Sequence, residues 1–493
     1  MSRAPSRSAE LGALGAILLL AAALYFTHAD FPVELHPDEG TKVGFVLTGT
    51  QDFKHPLLLL QLVRGMRRTV PTDDPQRIAA MGRAVSGAAG LAILVFAHGL
   101  FRRSLGRRWA LLATLLLAVA PILAVHAHYF KEDVLLTAAC VGALLALCRC
   151  VEGRRPATIE LGVAIGLACA THYKGVLVVV PCLAAPALVA VGSWRRWYGR
   201  MGAAIGIAAV VFAVVNLPML YDPEAALAGA RFEAWHAASG HHVSVGGPAD
   251  GRAFHLRRSL IPGLTEVVVA LAALGAVIGL RAWQAAVPAT RLLLVFGLVS
   301  YLVVELAPLK PFPGYMRYVL PAVPAVVLAA CLALREIAAP LRARALGWVA
   351  ALVAVVAVAM PATRSARLVR HLDDDSRARA EAWLAAHDGR AMRELYAGRP
   401  VDRVSVADVD LATARAAGVT HVVASSFLYE RIARGAALTP GADGLVHEYA
   451  EKYRRLFARP YTEIPPAYMS FAFSDPTIRI VDIREADEPA VSR

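Results

Sequence analysis

The chain has 493 residues, 57% of them hydrophobic and 18% charged, with a formal charge of +13. A soluble domain carries roughly 25% charged residues, so the shortfall excludes water as the main surroundings of most of the chain. The apolar residues are also clustered: 11–25, 109–125, 201–215, 265–280 and 346–360 hold almost no charge, where a soluble core would interrupt such runs with polar faces. Nor does the positive charge indicate nucleic acid. Arg and Lys lie mostly in short tethers between apolar runs, where they act as topology signals.

In chain order the apolar runs predict membrane-spanning helices at 10–28, 78–100, 109–126, 132–150, 157–171, 174–192, 202–220, 263–281, 289–307, 318–336 and 344–362, about eleven in all. The first follows Arg3 and Arg7 like a signal peptide, but no small-residue cleavage site precedes Phe31. The two runs flanking His172 are short. Alternating sides gather Arg102, Arg103, Arg107 and Arg108, then Arg149, Arg154 and Arg155, then Arg195, Arg196 and Arg200, then Arg281, and finally Arg335, Arg342 and Arg344 on one face. By the positive-inside rule that face is cytoplasmic. The segments 29–77, 126–131, the His172 turn, 221–262, 310–317 and everything after Pro361 then fall outside. Four of the six cysteines, Cys140, Cys169, Cys182 and Cys331, lie in expected spans, and neither a zinc pattern nor a disulfide framework is indicated.

From about Thr363 the composition turns mixed and charged, opening with Asp373, Asp374, Asp375, Arg377 and a helix that contains Trp383. Strand-like stretches at 401–406, 420–425 and 477–483 alternate with helix-like segments, and the last of them reads as a strand with one face buried. The expected organisation is therefore an α-helical polytopic membrane domain over 1–362 and a small α/β domain over 363–493.

The densest local chemistry is Phe31-Pro-Val-Glu-Leu-His-Pro-Asp-Glu-Gly-Thr-Lys42, just beyond the first span. Glu34, His36, Asp38, Glu39 and Lys42 concentrate ionisable groups where a linker needs only a turn. Other outer turns repeat the theme with His126, His128, Lys131, Glu132 and Asp133; with His172, Tyr173 and Lys174; and with Lys310, Tyr315, Arg317 and Tyr318. Taken singly, Asp133 serves as a helix cap, Lys174 as a snorkelling cation, and Lys310 and Arg317 as anchors. Stacked on one side of a membrane, they suit an anionic amphiphile: carboxylates for a proton or a metal, cations for phosphate, spans for an apolar tail.

The motifs His36-Pro-Asp-Glu39, Phe53-Lys-His-Pro-Leu57, His128-Tyr-Phe-Lys-Glu-Asp133, Thr171-His-Tyr-Lys-Gly175 and Arg317-Tyr318 followed by Leu-Pro-Ala-Val-Pro occur in that order. In this the chain resembles the membrane-embedded GT-C glycosyltransferases, in particular the group of protein O-mannosyltransferases and aminoarabinose lipid A transferases, over roughly 10–362. The resemblance implies a large outer first loop and a polyprenyl-phosphate sugar donor. It also implies a hydroxyl-bearing acceptor and an active site outside a bacterial-type cytoplasmic membrane. It implies that Asp38 is the general base, with Glu39 beside it and Asp133 as a second acid. Lys174 and Arg317 would clamp the phosphate; Lys54, His55, His128, His172, Lys310 and Tyr318 would complete the donor and acceptor contacts. Asp38, Glu39 and Asp133 are also compatible with a shared Mg²⁺ or Mn²⁺. The alternative reading is a transporter or flippase of a lipid-linked or anionic substrate. Against it, the charges gather at one membrane face and no pair of similar halves is visible.

Overall fold

The computed structural model describes residues 6–31, 36–154, 156–238, 253–307, 316–343, 346–387, 390–394, 396–397, 403–404, 410–438 and 444–484. Helix α1, Arg7–Phe26, starts where the Ser6 side chain accepts from the Ala9 amide and ends before the first loop. In that loop lie α2 (Glu39–Thr48) and α3 (Leu58–Thr69). The α3 helix is amphipathic: Leu58, Leu59, Leu60 and Val63 are buried, while Arg64 donates to the carbonyls of Phe45 and Thr50, and Arg67 to those of Val46 and Thr72. Arginines thus satisfy carbonyls at the C-terminal end of α2, which the helix itself cannot bond.

The long α4, Pro75–Leu105, begins with Asp74 capping the Gln76 amide and Pro75 in its first turn. It ends at Gly106, whose φ of 76° reverses the chain. There follow α5 (Arg107–Ala118), α6 (Pro121–His126), α7 (Glu132–Val151), α8 (Ala157–Thr171), a 3-10 turn Tyr173–Val178, α9 (Val179–Leu188), α10 (Trp194–Val215), α11 (Leu217–Tyr221) and α12 (Pro223–Ala238). Next come α13 (Ile261–Leu264), α14 (Glu266–Arg281), α15 (Pro288–Glu305), α16 (Val323–Ala343, entered through the 3-10 turn Met316–Ala322) and α17 (Gly347–Arg370).

Over the described residues each apolar run read from the sequence is mainly helical, yet among them only seven helices are long and apolar enough to cross a membrane alone, or eight counting one bent pair. The difference from eleven has local causes. The expected helix 109–126 breaks ahead of Pro121, which lacks an amide hydrogen to continue α5. The expected helix 263–281 is preceded by Leu256–Leu264, which meets α14 at 110° where Thr265 adopts φ 85°. The helices around His172 are shorter than a bilayer core is thick. Close helix packing uses small residues: a methyl group at Gly275 of α14 would lie 1.7 Å from the Ala329 carbonyl oxygen of α16. Leu19, Val214, Leu280 and Trp348 stay exposed on the helix exteriors, as expected where the surroundings are lipid.

After α17 come α18 (Ser376–Ala386), β1 (Ala391–Glu394), β2 (Arg403–Val404), α19 (Leu411–Ala416), β3 (His421–Ser425), α20 (Ser426–Leu438), α21 (Gly444–Leu456), β4 (Tyr461–Ile464) and β5 (Ile478–Asp482). The sheet order is β2-β1-β3-β5-β4; β1 is parallel to β2 and β3, and β5 is antiparallel to β3 and β4. Of the expected strands, 420–425 and 477–483 correspond to β3 and β5, and within 401–406 only Arg403–Val404 is described. The last strand is not one-sided. Ile478 and Ile480 pack with Ala380 and Leu384 of α18, while Val481 and Ile483 pack with Tyr429, Ile432 and Tyr453 of α20 and α21.

Candidate active site

The start of α2, in the first loop, meets the start of α7. Asp38 stands just before α2, and its side chain is 45% exposed. Lys131, extended and just before α7, donates from Nζ to Asp38 Oδ2 at 2.6 Å. Glu132 and Asp133 open α7, where the helix dipole favours negative charge. Lys42, the next turn of α2, pairs with Glu132, and Lys131 Nζ lies 3.2 Å from the second Glu132 oxygen. Two lysines and two carboxylates therefore form one network, three of its members buried. Burial opposes the charge on Asp38, but Lys131 first, with Lys42 and Arg317, outweighs it and holds the carboxyl well below the usual range. Burial likewise opposes the charge on Lys131; Asp38 and Glu132 outweigh it and raise its pKa.

His36 joins this network to a second one. Its Nδ1 lies 3.1 Å from the Asp38 amide and its Nε2 3.2 Å from Arg317. Burial first, then Arg317, Lys131 and Lys42, keep the imidazole neutral far below the ordinary histidine range, with only Asp38 opposing. Arg317 Nε faces Asp133 Oδ2 at 3.6 Å. That oxygen is buried and has no hydrogen-bond partner among the described residues. Asp133, Lys174, Arg317 and Tyr318 line one cavity whose other walls include Leu136, Leu177 and Phe296. Lys174 Nζ lies 3.7 Å from the centre of the Tyr318 ring. Charged groups and apolar side chains thus share the lining of one small cavity of about 20 Å³.

The remaining expected residues divide. His55 is in the site: its Nε2 is 3.4 Å from Lys131 Nζ and 3.9 Å from Glu233 of α12. Burial, with Lys131 next, lowers its pKa to about 3. His172 packs against it with ring centres 5.0 Å apart and accepts from the Lys174 amide. Lys54 is exposed and turns to the Phe232 ring at 4.7 Å. His128 is buried with both ring nitrogens on carbonyls, of Ala124 at 2.7 Å and Thr27 at 2.8 Å, and serves packing rather than the cavity. Lys310 and Glu34 lie outside the described residues.

Glu39, expected beside Asp38, points elsewhere. It is 0% exposed, its carboxylate accepting from Arg83 of α4 at 2.7 and 3.3 Å and from the Phe130 amide at 2.8 Å. The shared metal set fares likewise. Asp38 faces Lys131, Glu39 faces Arg83 and Asp133 faces Arg317: Asp38 and Glu39, consecutive at the start of α2, diverge by about 100°, and Asp133 stands on α7. Among the described residues no three His, Cys, Asp or Glu side chains are grouped to hold a metal ion, so these three do not fit that role. Lys131, Glu132 and Lys42 were visible as charges beside the expected residues, but nothing local in sequence pairs them. Phe473, whose ring lies 4.7 Å from that of His36, carried no sequence signal.

The model of the dolichyl-phosphate-mannose-protein mannosyltransferase family matches residues 78–221, a stretch that carries the Lys131–Asp133 start of α7 and the His172 turn. No curated protein matches the chain in sequence. Among solved structures, ArnT from Cupriavidus metallidurans bound to undecaprenyl phosphate aligns with a TM-score of 0.56 at 16% identity, covering 95% of this chain and 98% of that one. The fold is that of the GT-C glycosyltransferases. The apo Archaeoglobus fulgidus oligosaccharyltransferase aligns with a TM-score of 0.59 at 11% identity, covering 90% and 72%. Archaeal AglB from the same organism, in complex with an inhibitory peptide and a dolichol-phosphate, gives 0.52 at 11% over 93% and 79%. Within this GT-C fold the chain is a multi-pass membrane protein.

Proposed function

We propose that the chain transfers a sugar from a polyprenyl-phosphate donor to a hydroxyl acceptor at the outer face of a bacterial-type cytoplasmic membrane. In this reading all eleven apolar helical segments traverse or enter the bilayer, and residues 363–493 form an extracytoplasmic α/β domain. One observation carries it: an ionised, part-exposed Asp38 lies beside Lys131 and is joined through His36 to the Asp133, Lys174 and Arg317 cavity. The undecaprenyl phosphate in the ArnT structure and the dolichol-phosphate in the AglB structure support a lipid-phosphate leaving group.

The acceptor oxygen attacks the anomeric carbon as the bond from that carbon to the phosphate oxygen breaks; polyprenyl phosphate leaves and the hydroxyl proton passes to Asp38. One displacement inverts the anomeric configuration. At rest Asp38 is a weak base because Lys131 neutralises it. A phosphate that draws Lys131 toward itself frees the carboxylate to accept the proton, so base strength rises when the donor is bound. Lys174 and Arg317 stabilise the charge growing on the leaving phosphate, and Asp133 Oδ2, which faces Arg317 but accepts no hydrogen bond among the described residues, is offered to a substrate hydroxyl.

The test is turnover by purified protein in nanodiscs, following release of polyprenyl phosphate from a sugar-loaded donor. Movement of unchanged substrate across vesicles without release would favour the transporter reading instead. Lys174→Ala and Arg317→Ala should each weaken donor binding about 10- to 150-fold, as expected for loss of one charge-assisted contact. Folded variants with wild-type donor affinity and turnover would make both residues helix-end anchors.

A further inference from the structure

Between β4 and β5 the chain makes a tight turn at 467–476 that reaches into the site from 437 residues away in sequence, counting Phe473 back to His36. Phe473, 4% exposed, sets its ring edge-on to His36 at 4.7 Å and lies 5.5 Å from the Arg317 guanidinium carbon. It therefore touches both members of the pair that links Asp38 to the cavity. Tyr318 lies against the same guanidinium at 5.2 Å. Aromatic rings attract the planar group while its N–H donors project around the edge, toward Asp133, His36 and any anion in the cavity.

The turn is held unusually firmly. Ala472 and Asp475 both have φ of 54°, a left-handed conformation that residues with a Cβ adopt at a cost. The Asp475 carboxylate accepts from the amides of Ser376 at 2.9 Å and Ala467 at 2.7 Å, and its own amide donates to Asp375 at 2.8 Å. Asp375 is in turn gripped by Arg377 at 2.7 and 2.8 Å. On the membrane side, the Tyr129 hydroxyl meets Ser474 Oγ at 3.2 Å and accepts from the Phe473 amide at 3.3 Å. Behind Phe473, the Tyr396 ring stacks at 5.4 Å and the Phe427 ring meets it edge-on at 6.0 Å; these residues follow β1 and β3. Strain that is over-determined from two sides belongs to a segment whose placement matters.

We propose that the 467–476 turn is a latch, and that Phe473 is a positioning residue that fixes His36 and Arg317 for phosphate binding. The anion-binding part of this rests on the reading that Arg317 holds the donor phosphate; the geometric part does not. The region after α17 is then a component of the active site.

The full-length chain in nanodiscs tests this with Phe473→Ala and Phe473→Leu, using modification of His36 by diethyl pyrocarbonate, read by mass spectrometry, and binding of undecaprenyl phosphate. In Phe473→Ala, His36 should become reactive, and affinity for undecaprenyl phosphate should fall about 2- to 30-fold, the range for one aromatic–cation contact. KM should rise more than kcat falls. Phe473→Leu, which restores bulk without a ring, should shield His36 again but leave affinity reduced. If Phe473→Ala does not fold, Tyr129→Phe removes both hydroxyl bonds to the turn while keeping the ring, and the same two changes are expected. Protected His36 with wild-type affinity overturns the latch; so does exposed His36 with unchanged affinity and KM, which reduces Phe473 to packing. A wild-type chain that binds no undecaprenyl phosphate sinks the donor reading, and the latch is then decided by His36 labelling, which needs no ligand.

Discussion

Asp38 combines an ionised carboxylate, a lysine partner and access to open space, and the other acids of the site each lack one of these. Replacing it with Asn keeps the shape and removes the proton acceptor. Asp38→Asn is expected to lose about 10²- to 10⁴-fold in turnover with little change in donor binding. Near-wild-type turnover would move the base role to Glu132 or Asp133. The neutral histidines give a separate expectation. His36, His55 and His172 are kept uncharged primarily by burial. Below about pH 6.5 the unfolded chain takes up protons that the folded one refuses. The contribution of these histidines should therefore be level above pH 7 and fall as pH drops from about 6.5. Asp38, lowered in the fold, adds its own loss only below about pH 3.9. Thermal melting in detergent checks this: a midpoint unchanged between pH 7 and 5 contradicts it, and His55→Gln should flatten the slope.

At the scale of elements, the site depends on how the first loop is tied to α4. Arg83 and Glu39 are both about 1% exposed at the side chain, and Arg83 also donates to the Phe31 carbonyl at 2.7 Å. This bidentate pair fixes the start of α2, and with it the direction of Asp38 one residue earlier. Removing one partner of a buried pair strands the other charge, at about 3–5 kcal/mol. Glu39→Gln should accordingly lower stability by about that much, while kcat per folded molecule should fall far less than in Asp38→Asn. Denaturation measured alongside kcat per folded molecule separates this from a catalytic role, which would lower kcat at unchanged stability.

At the scale of the whole molecule, the region after α17 shares a membrane face with the first loop, because Phe473 and Ser474 touch His36 and Tyr129. This holds however many helices cross. In the orientation proposed above, with the Arg-rich turns inside, that face is outside. A cysteine at Arg455, whose side chain is 80% exposed, should react with an impermeant thiol reagent in intact spheroplasts. The native cysteines give little background, since five are buried and Cys169 is only partly accessible. Reaction solely after lysis would place the tail in the cytoplasm.

Hydropathy is a local property, so the sequence by itself determined the helical membrane character, the position of nearly every apolar helix and the charge-rich turns between them. Motif order did the same for the GT-C resemblance. It could not assign partners. Asp38 meets Lys131 across 93 positions and Glu39 meets Arg83 across 44, and only the packing of α2, α4 and α7 decides which acid faces which cation. Helix breaks at Pro121 and Thr265 were hidden inside uniformly apolar runs, since hydropathy does not register a lost amide hydrogen or a positive φ. Strands β1 and β4 are four residues each, too short to show a period. The aromatic contact of Phe473 with His36 exists only because the tertiary fold returns the C-terminal chain to the heads of the spans, a juxtaposition that no local pattern encodes.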